Sequence, residues 1–362
     1  MSARAPLRLG RFLGPMLIVG VTAVSTGFAP RDTSLVTNRA LPPFHAGVFL
    51  GDQASRPDRI AGAIERFARR TGGRPALVKT FFRLDADFGA GGWAGRVVRA
   101  VDAAGATNLI ALDLRPVDAG PEGLLAAVAA GRADDRLRRI ARELARLDKV
   151  VLLEPAWEMN GDWDYPWQGV ANGGPDAPAR FIASWRRIVD VFREEGAHAV
   201  RWVFSPNIGN PVAGAGRGPD HWNWYGHYYP GDEYVDYVGA HGFHAPTLWQ
   251  APYRTFDELF DGAAADHLLS DIAARFPDKP ILIGEFAAEE TAGFDKGRWI
   301  AEAFASLQSR PEVAGAVWFD MDKEADWRIE SSNSASSAFQ HAMRHTRVAG
   351  RFSEPALRLA GR

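Results

Sequence analysis

Two glutamates, Glu158 and Glu285, stand at or just past the ends of short apolar runs, Val150–Leu153 and Ile281–Gly284. The first run leads into Trp157-Glu158-Met159-Asn160-Gly161, with Trp163, Tyr165 and Trp167 close behind; the second ends in Glu285-Phe286. A pair of carboxyls can cleave a glycosidic bond, one protonating the leaving oxygen while the other attacks the anomeric carbon. That division of labour needs two environments, so that one group keeps its proton while the other is ionised. Flat aromatic faces beside such a pair suit the apolar face of a pyranose ring. Trp157, Trp163 and Trp167 are therefore candidate sugar contacts, and Asn160 is a candidate for positioning a sugar hydroxyl or the loop itself. The chemistry these residues point to is hydrolysis of a sugar polymer.

Histidines raise a second possibility. His221, His227, His241 and His244 lie near one another in sequence, and Asp232, Asp236 and Asp320 could join them around a metal. No HExxH or comparable ligand spacing is present, and His45 on the first strand has no partner of the kind zinc barrels use. We expect no metal and no cofactor, with the histidines structural or in contact with sugar.

The elements that must position the glutamates alternate along the chain. Strand-like runs fall at 45–50, 76–82, 108–114, 150–155, 200–204, 234–240, 280–285 and 313–319, mostly continuous apolar stretches, as when both faces of a parallel sheet are covered. Helical patterns lie between them. The clearest places Leu137, Ile140, Leu144 and Leu147 on one face; others cover 57–70, 178–195, 256–276, 297–308 and 334–345. Eight strand–helix units predict an α/β fold of the (β/α)8 TIM-barrel type rather than a doubly wound sheet, since no glycine-rich phosphate loop follows the first strand. No linker or repeat divides the body, so residues 31–362 are expected to form one catalytic domain. Barrel enzymes place their chemistry at the carboxyl ends of the strands. Glu158 follows the fourth strand and Glu285 ends the seventh, which sets them across the mouth from each other. Trp318, at the end of the eighth strand, is a candidate floor for the sugar, and Asn207, past the fifth, a candidate substrate contact or turn residue.

Composition narrows the partners. The 362 residues carry a formal net charge of −2 and 24% charged residues, without the basic face of a nucleic-acid binder. A polysaccharide or oligosaccharide substrate and a monomeric state are expected. Arg4, Arg8 and Arg11 precede an apolar run from Leu13 to Ala23 and then small residues, the layout of a secretory leader over residues 1–30, with an uncleaved anchor as the alternative. The chain is expected to be exported, secreted or periplasmic. It has no cysteine, so disulfides and thiolate metal sites are excluded.

Taken together, WEMNGDWDYPW (157–167, with Glu158), WVFSPN (202–207), YYPGDEYVDYVG (228–239), GEF (284–286) and VWFD (317–320) resemble glycoside hydrolase family 26, which contains many endo-β-1,4-mannanases. The resemblance covers roughly half the mature chain. It implies a retaining mechanism with Glu158 as acid/base and Glu285 as nucleophile, acting on a β-1,4-linked mannan or a related polymer. Three positions depart from the family pattern. Trp157 stands where the family has histidine, and Glu154 where it has arginine. Phe243 stands where it has a tyrosine that hydrogen-bonds the nucleophile. Glu154 needs a cationic partner or a proton if buried, Lys79 or Arg83 being suited as the partner, and His241 or His244 could replace the missing tyrosine. These departures leave room for another β-glycan or a bacterial exopolysaccharide, and for a barrel that binds carbohydrate without cutting it.

Overall fold

The computed structural model describes residues 41–354 apart from 121–122, 213–217 and 346; the expected leader, residues 1–30, lies outside the described residues. Eight parallel strands close into a barrel in chain order. They are β1 (His45–Phe49), β2 (Leu77–Arg83), β3 (Thr107–Asp113), β4 (Val151–Pro155), β5 (Val200–Phe204), β6 (Tyr237–His244), β7 (Ile281–Ala288) and β8 (Val313–Phe319). The helices are α1 (Ile60–Thr71), α2 (Trp93–Ala103), α3 (Leu124–Ala129), α4 (Asp134–Leu147), α5 (Ala177–Glu194), α6 (Phe256–Phe260), α7 (Leu268–Arg275), α8 (Lys296–Ser309) and α9 (Asn333–Met343).

The helix expected over 256–276 is broken into α6 and α7. Thr255 starts α6 with a capping box to Glu258. Gly262 then lies so close to the Glu258 carbonyl that a Cβ would meet it at 2.4 Å, and Asp266 and His267 both take left-handed backbone conformations. The helices α2 and α3 are absent from the expected set; α3 is only six residues long, all Leu, Ala and Val, with no polar contrast to mark a face.

Strand alternation sorts side chains into two layers. Outward residues pack against the helices in the main core. Inward, Leu77, Leu109, Leu152, Val203, Tyr237, Leu282 and Val317 form a separate apolar cluster that fills the barrel. One step further along the strands toward the mouth, Lys79 and Glu154 follow Leu77 and Leu152, and the barrel interior changes from apolar to charged.

Candidate active site

β7 carries one residue more than its neighbours at Gly284–Glu285. Ala240 and His241 of β6 pair with Ile283 and Glu285, and Ala316 and Trp318 of β8 pair with Ile283 and Phe286. Such a bulge re-aims side chains, and here Gly284 and Glu285 both turn to the barrel interior while Phe286 packs outward on Trp299 and Trp318. A Cβ on Gly284 would lie 2.4 Å from His241 Nε2 and 2.6 Å from Glu154 Oε1; this strand can pass the cluster only as glycine. On β4 the exit is equally particular: Ala156 and Glu158 both have left-handed φ, 50° and 54°. The Glu158 amide donates to Ser205 O at 2.8 Å.

These elements gather five charged side chains. Lys79 Nζ donates to Glu154 Oε2 at 2.5 Å and lies 2.8 Å from Glu285 Oε1, the latter an ion pair without hydrogen-bond alignment. His241 places Nε2 2.9 Å from Glu154 Oε1 and Nδ1 3.0 Å from Glu158 Oε1. Trp163 Nε1 donates to the other Glu158 oxygen at 3.0 Å. Lys79, Glu154 and His241 are fully buried, whereas Glu158 and Glu285 keep a small exposed area and line a cleft of about 930 Å³ at the mouth.

Burial raises the Glu154 carboxyl, but Lys79 and His241 overcome it and hold the group at about 2. Burial and Lys79 push His241 down; Glu154 and Glu285 more than reverse this and hold it at about 9. Lys79 is likewise kept above its ordinary value, burial being outweighed by Glu154 and Glu285. Glu285 is shifted upward, first by burial and then by the Glu158 charge, against the pull of Lys79 and His241. Carboxylates face both ring nitrogens of His241, and a neutral imidazole could donate from only one of them. The cluster thus sets two cations against three carboxylates. With all three carboxyls ionised it would carry one net negative charge.

Glu158, His241 and Glu285 each offer an atom within 4.8 Å of the others, close enough for an ion to bridge. The Lys79 ammonium already supplies positive charge against Glu285, and both His241 nitrogens are engaged, so the group fits proton chemistry better than metal binding.

Trp157, Trp163, Tyr165, Asn207 and Phe243 line the cleft. An aromatic wall continues from Trp163 through Tyr165, Trp157, Phe81, Phe49, Phe319, Phe243 and Trp327 to Trp249, each ring in contact with the next. Expectations for Trp318, Trp167, His241 and His244 are corrected, and of the two roles open for Asn160 the loop role is the one observed. Trp318 is fully buried and faces the helices, because alternation sends it outward between Val317 and Phe319; Phe319 takes the cleft position. Trp167 is also fully buried and donates to Trp157 O at 2.7 Å, packing the loop instead of meeting sugar. Asn160 ties two loops together, donating to Asn207 O and Gly209 O and accepting from the Asn207 amide. His241 does not reach substrate and does not take the tyrosine's hydrogen bond to Glu285; it holds Glu158 instead. His244 does not replace the tyrosine either, its ring stacking on Trp299. Of the two partners considered for Glu154, Lys79 is the one observed; Arg83 pairs with Asp85 at the surface.

Gln168 is a further residue of the site, without a sequence motif of its own. Fully buried, it accepts from the Trp163 and Tyr165 amides and donates to Glu158 O, fixing the loop that carries the indole. Only its place between Trp167 and Gly169 could have drawn attention.

A (β/α)8 barrel whose mouth holds facing carboxyls in an aromatic cleft has the architecture of a glycoside hydrolase. The chain matches the model of Glycosyl hydrolase family 26 over residues 125–309. It is 35% identical over 303 residues to Endoglucanase H of Acetivibrio thermocellus, covering 82% of this chain and 30% of that protein; it therefore spans less than a third of this relative's length. The fold superposes on the catalytic domain of a Bacillus sp. JAMB-750 GH26 endo-β-1,4-mannanase with a TM-score of 0.61 at 17% identity, covering 85% and 87% of the two chains. For a Bacillus subtilis mannanase the TM-score is 0.56 at 18% identity, covering 83% and 86%. The chain belongs to glycoside hydrolase family 26.

Proposed function

We propose that the protein is an exported, retaining endo-β-glycanase in which Glu158 is the acid/base and Glu285 the nucleophile. The observation that carries this reading is the approach of their carboxyl oxygens to within 4.8 Å. Retaining enzymes hold the two carboxyls about 5–5.5 Å apart, whereas inverting ones leave about 6.5–9.5 Å for an intervening water. Glu158 would protonate the glycosidic oxygen as Glu285 attacks the anomeric carbon, leaving a glycosyl ester on Glu285. Glu158, now ionised, would take a proton from water as that water attacks the same carbon and frees Glu285. Export follows from the reading of residues 4–29 and from the size of a polymer substrate, which does not cross a cell membrane.

For the substrate we favour a β-linked glucan, with β-1,4-mannan as the second reading. The higher sequence identity, 35%, is with a relative named an endoglucanase, while the mannanases, at 17% and 18%, resemble the chain in fold alone. Glu154, Trp157 and Phe243 also depart from the family pattern beside the cutting point. The test is hydrolysis of mannan, glucomannan, mixed-linkage glucan, xylan and bacterial exopolysaccharides by wild type, Glu158→Gln and Glu285→Gln, with and without chelator. We expect cleavage of a glucan, indifferent to chelator, and a loss of about 10³-fold or more in both variants. The first product, followed by proton NMR, should carry the β-anomer; an α-anomer would overturn the retaining assignment.

A further inference from the structure

In the family pattern stated above, β4 contributes a cation at the position of Glu154. Here that position is an anion, and the positive charge comes from β2 and β6. The inversion is complete at the level of hydrogen bonds. Each Glu154 oxygen takes one bond, Oε2 from Lys79 and Oε1 from His241. Lys79 Nζ and His241 Nε2 stand 3.3 Å apart, within hydrogen-bond reach; with His241 protonated on both nitrogens, the Glu154 carboxylate they share offsets the repulsion between them. Their remaining contacts divide cleanly: Lys79 goes on to Glu285, and His241 to Glu158.

We propose that Lys79 and His241 are positioning residues, each serving one of the two reacting glutamates, with Glu154 as the shared counter-anion that keeps both in place. All three are fully buried, so none can touch the sugar; they act through Glu158 and Glu285. The proposal rests on the roles assigned to those two glutamates above. The groups facing His241 are Lys79, Glu154, Glu158 and Glu285; those facing Lys79 are Glu154, Glu285 and His241, with the Gly284 carbonyl at 3.3 Å.

The assignment separates the two limbs of a pH profile. The acid limb of kcat/KM reports ionisation of the nucleophile, and the alkaline limb loss of the proton from the acid. Removing the cation beside a carboxyl raises its pKa, by about one unit or more for a close buried partner. Lys79→Gln should therefore move the acid limb to higher pH, and Lys79→Arg should return it toward wild type. His241→Asn, which keeps a donor near Glu158 but no charge, should move the alkaline limb to higher pH.

The experiment measures kcat/KM against pH, on the polymer cut fastest in the panel above, for wild type and these three variants. Limbs that stay where wild type has them, with rates lowered equally at every pH, would reduce both residues to packing and overturn the proposal. A second measurement needs neither variant nor substrate: ¹⁵N NMR of the histidine rings in wild type at pH 7.5. Both nitrogens of His241 should be protonated, and a neutral ring there would overturn its role. Failure of the Glu158→Gln and Glu285→Gln tests would show separately, as retained hydrolysis.

Discussion

Glu154→Gln would keep the shape of the side chain but leave Lys79 and His241 facing one another across a neutral amide. Breaking a buried ion pair by removing one partner costs about 3–5 kcal/mol, so the variant should unfold at markedly lower urea concentration than wild type. Gly284→Ala should disturb the same cluster from the other side, since its methyl group would occupy the space of His241 Nε2 and a Glu154 oxygen. Trp163 offers a contrast. It is about one-third exposed and donates to Glu158 through its indole nitrogen, so Trp163→Phe should leave stability within about 0.5 kcal/mol. It should lower kcat by roughly ten- to a hundredfold, through loss of one hydrogen bond to a charged group at about 1.5–3 kcal/mol. Steady-state kinetics beside a denaturation curve would separate the two effects.

At the level of elements, β8 shows what a strand end conceals. Val317, Trp318 and Phe319 alternate, and a shift of one position decides whether an aromatic ring meets sugar or helix. Trp318 lies among Phe286, Trp299 and Phe339 and donates to Trp327 O. Trp318→Ala should accordingly destabilise the fold by about 3–5 kcal/mol, readable as a lowered Tm, whereas Phe319→Ala should act mainly on KM. Most of the barrel was legible because buried parallel strands are written as unbroken apolar runs; β5 and β8 match their expected bounds. The glutamates were legible because each follows such a run. What was hidden depends on contacts between distant strands. Pairing of Lys79 with Glu154 and Glu285 joins residues 75 and more positions apart, and the β7 bulge that turns both Gly284 and Glu285 inward has no local signature beyond a glycine. The role of Asn160 was open for the same reason, since its partners Asn207 and Gly209 belong to another loop.

For the whole molecule, the cluster ties folding to pH in two directions. Glu154 has an ordinary value of 4.5 and sits at about 2 when folded. Its contribution to stability is present above 4.5 and is lost as pH falls toward 2. His241 has an ordinary value of 6.5 and sits at about 9. Its contribution is full below 6.5 and is lost as pH rises through 9. The difference in Tm between wild type and His241→Asn should therefore narrow as pH rises from 6.5 to 9.5. That between wild type and Glu154→Gln should narrow as pH falls from 4.5 to 2. Calorimetry across both ranges would check the two slopes.

The leucine-rich layer under the charged cluster has a bearing on timing. Among the described residues that layer closes the barrel beneath the cluster, and the small exposed areas of Glu158 and Glu285 are its contact with the cleft. On the proposed reading, a polymer strand bound across them would close that contact until its leaving half departs, and the first chemical step would run on the protons held when the strand arrived. On that reading the acidity of the medium would select among empty molecules rather than loaded ones, and kcat/KM should respond to pH more steeply than kcat.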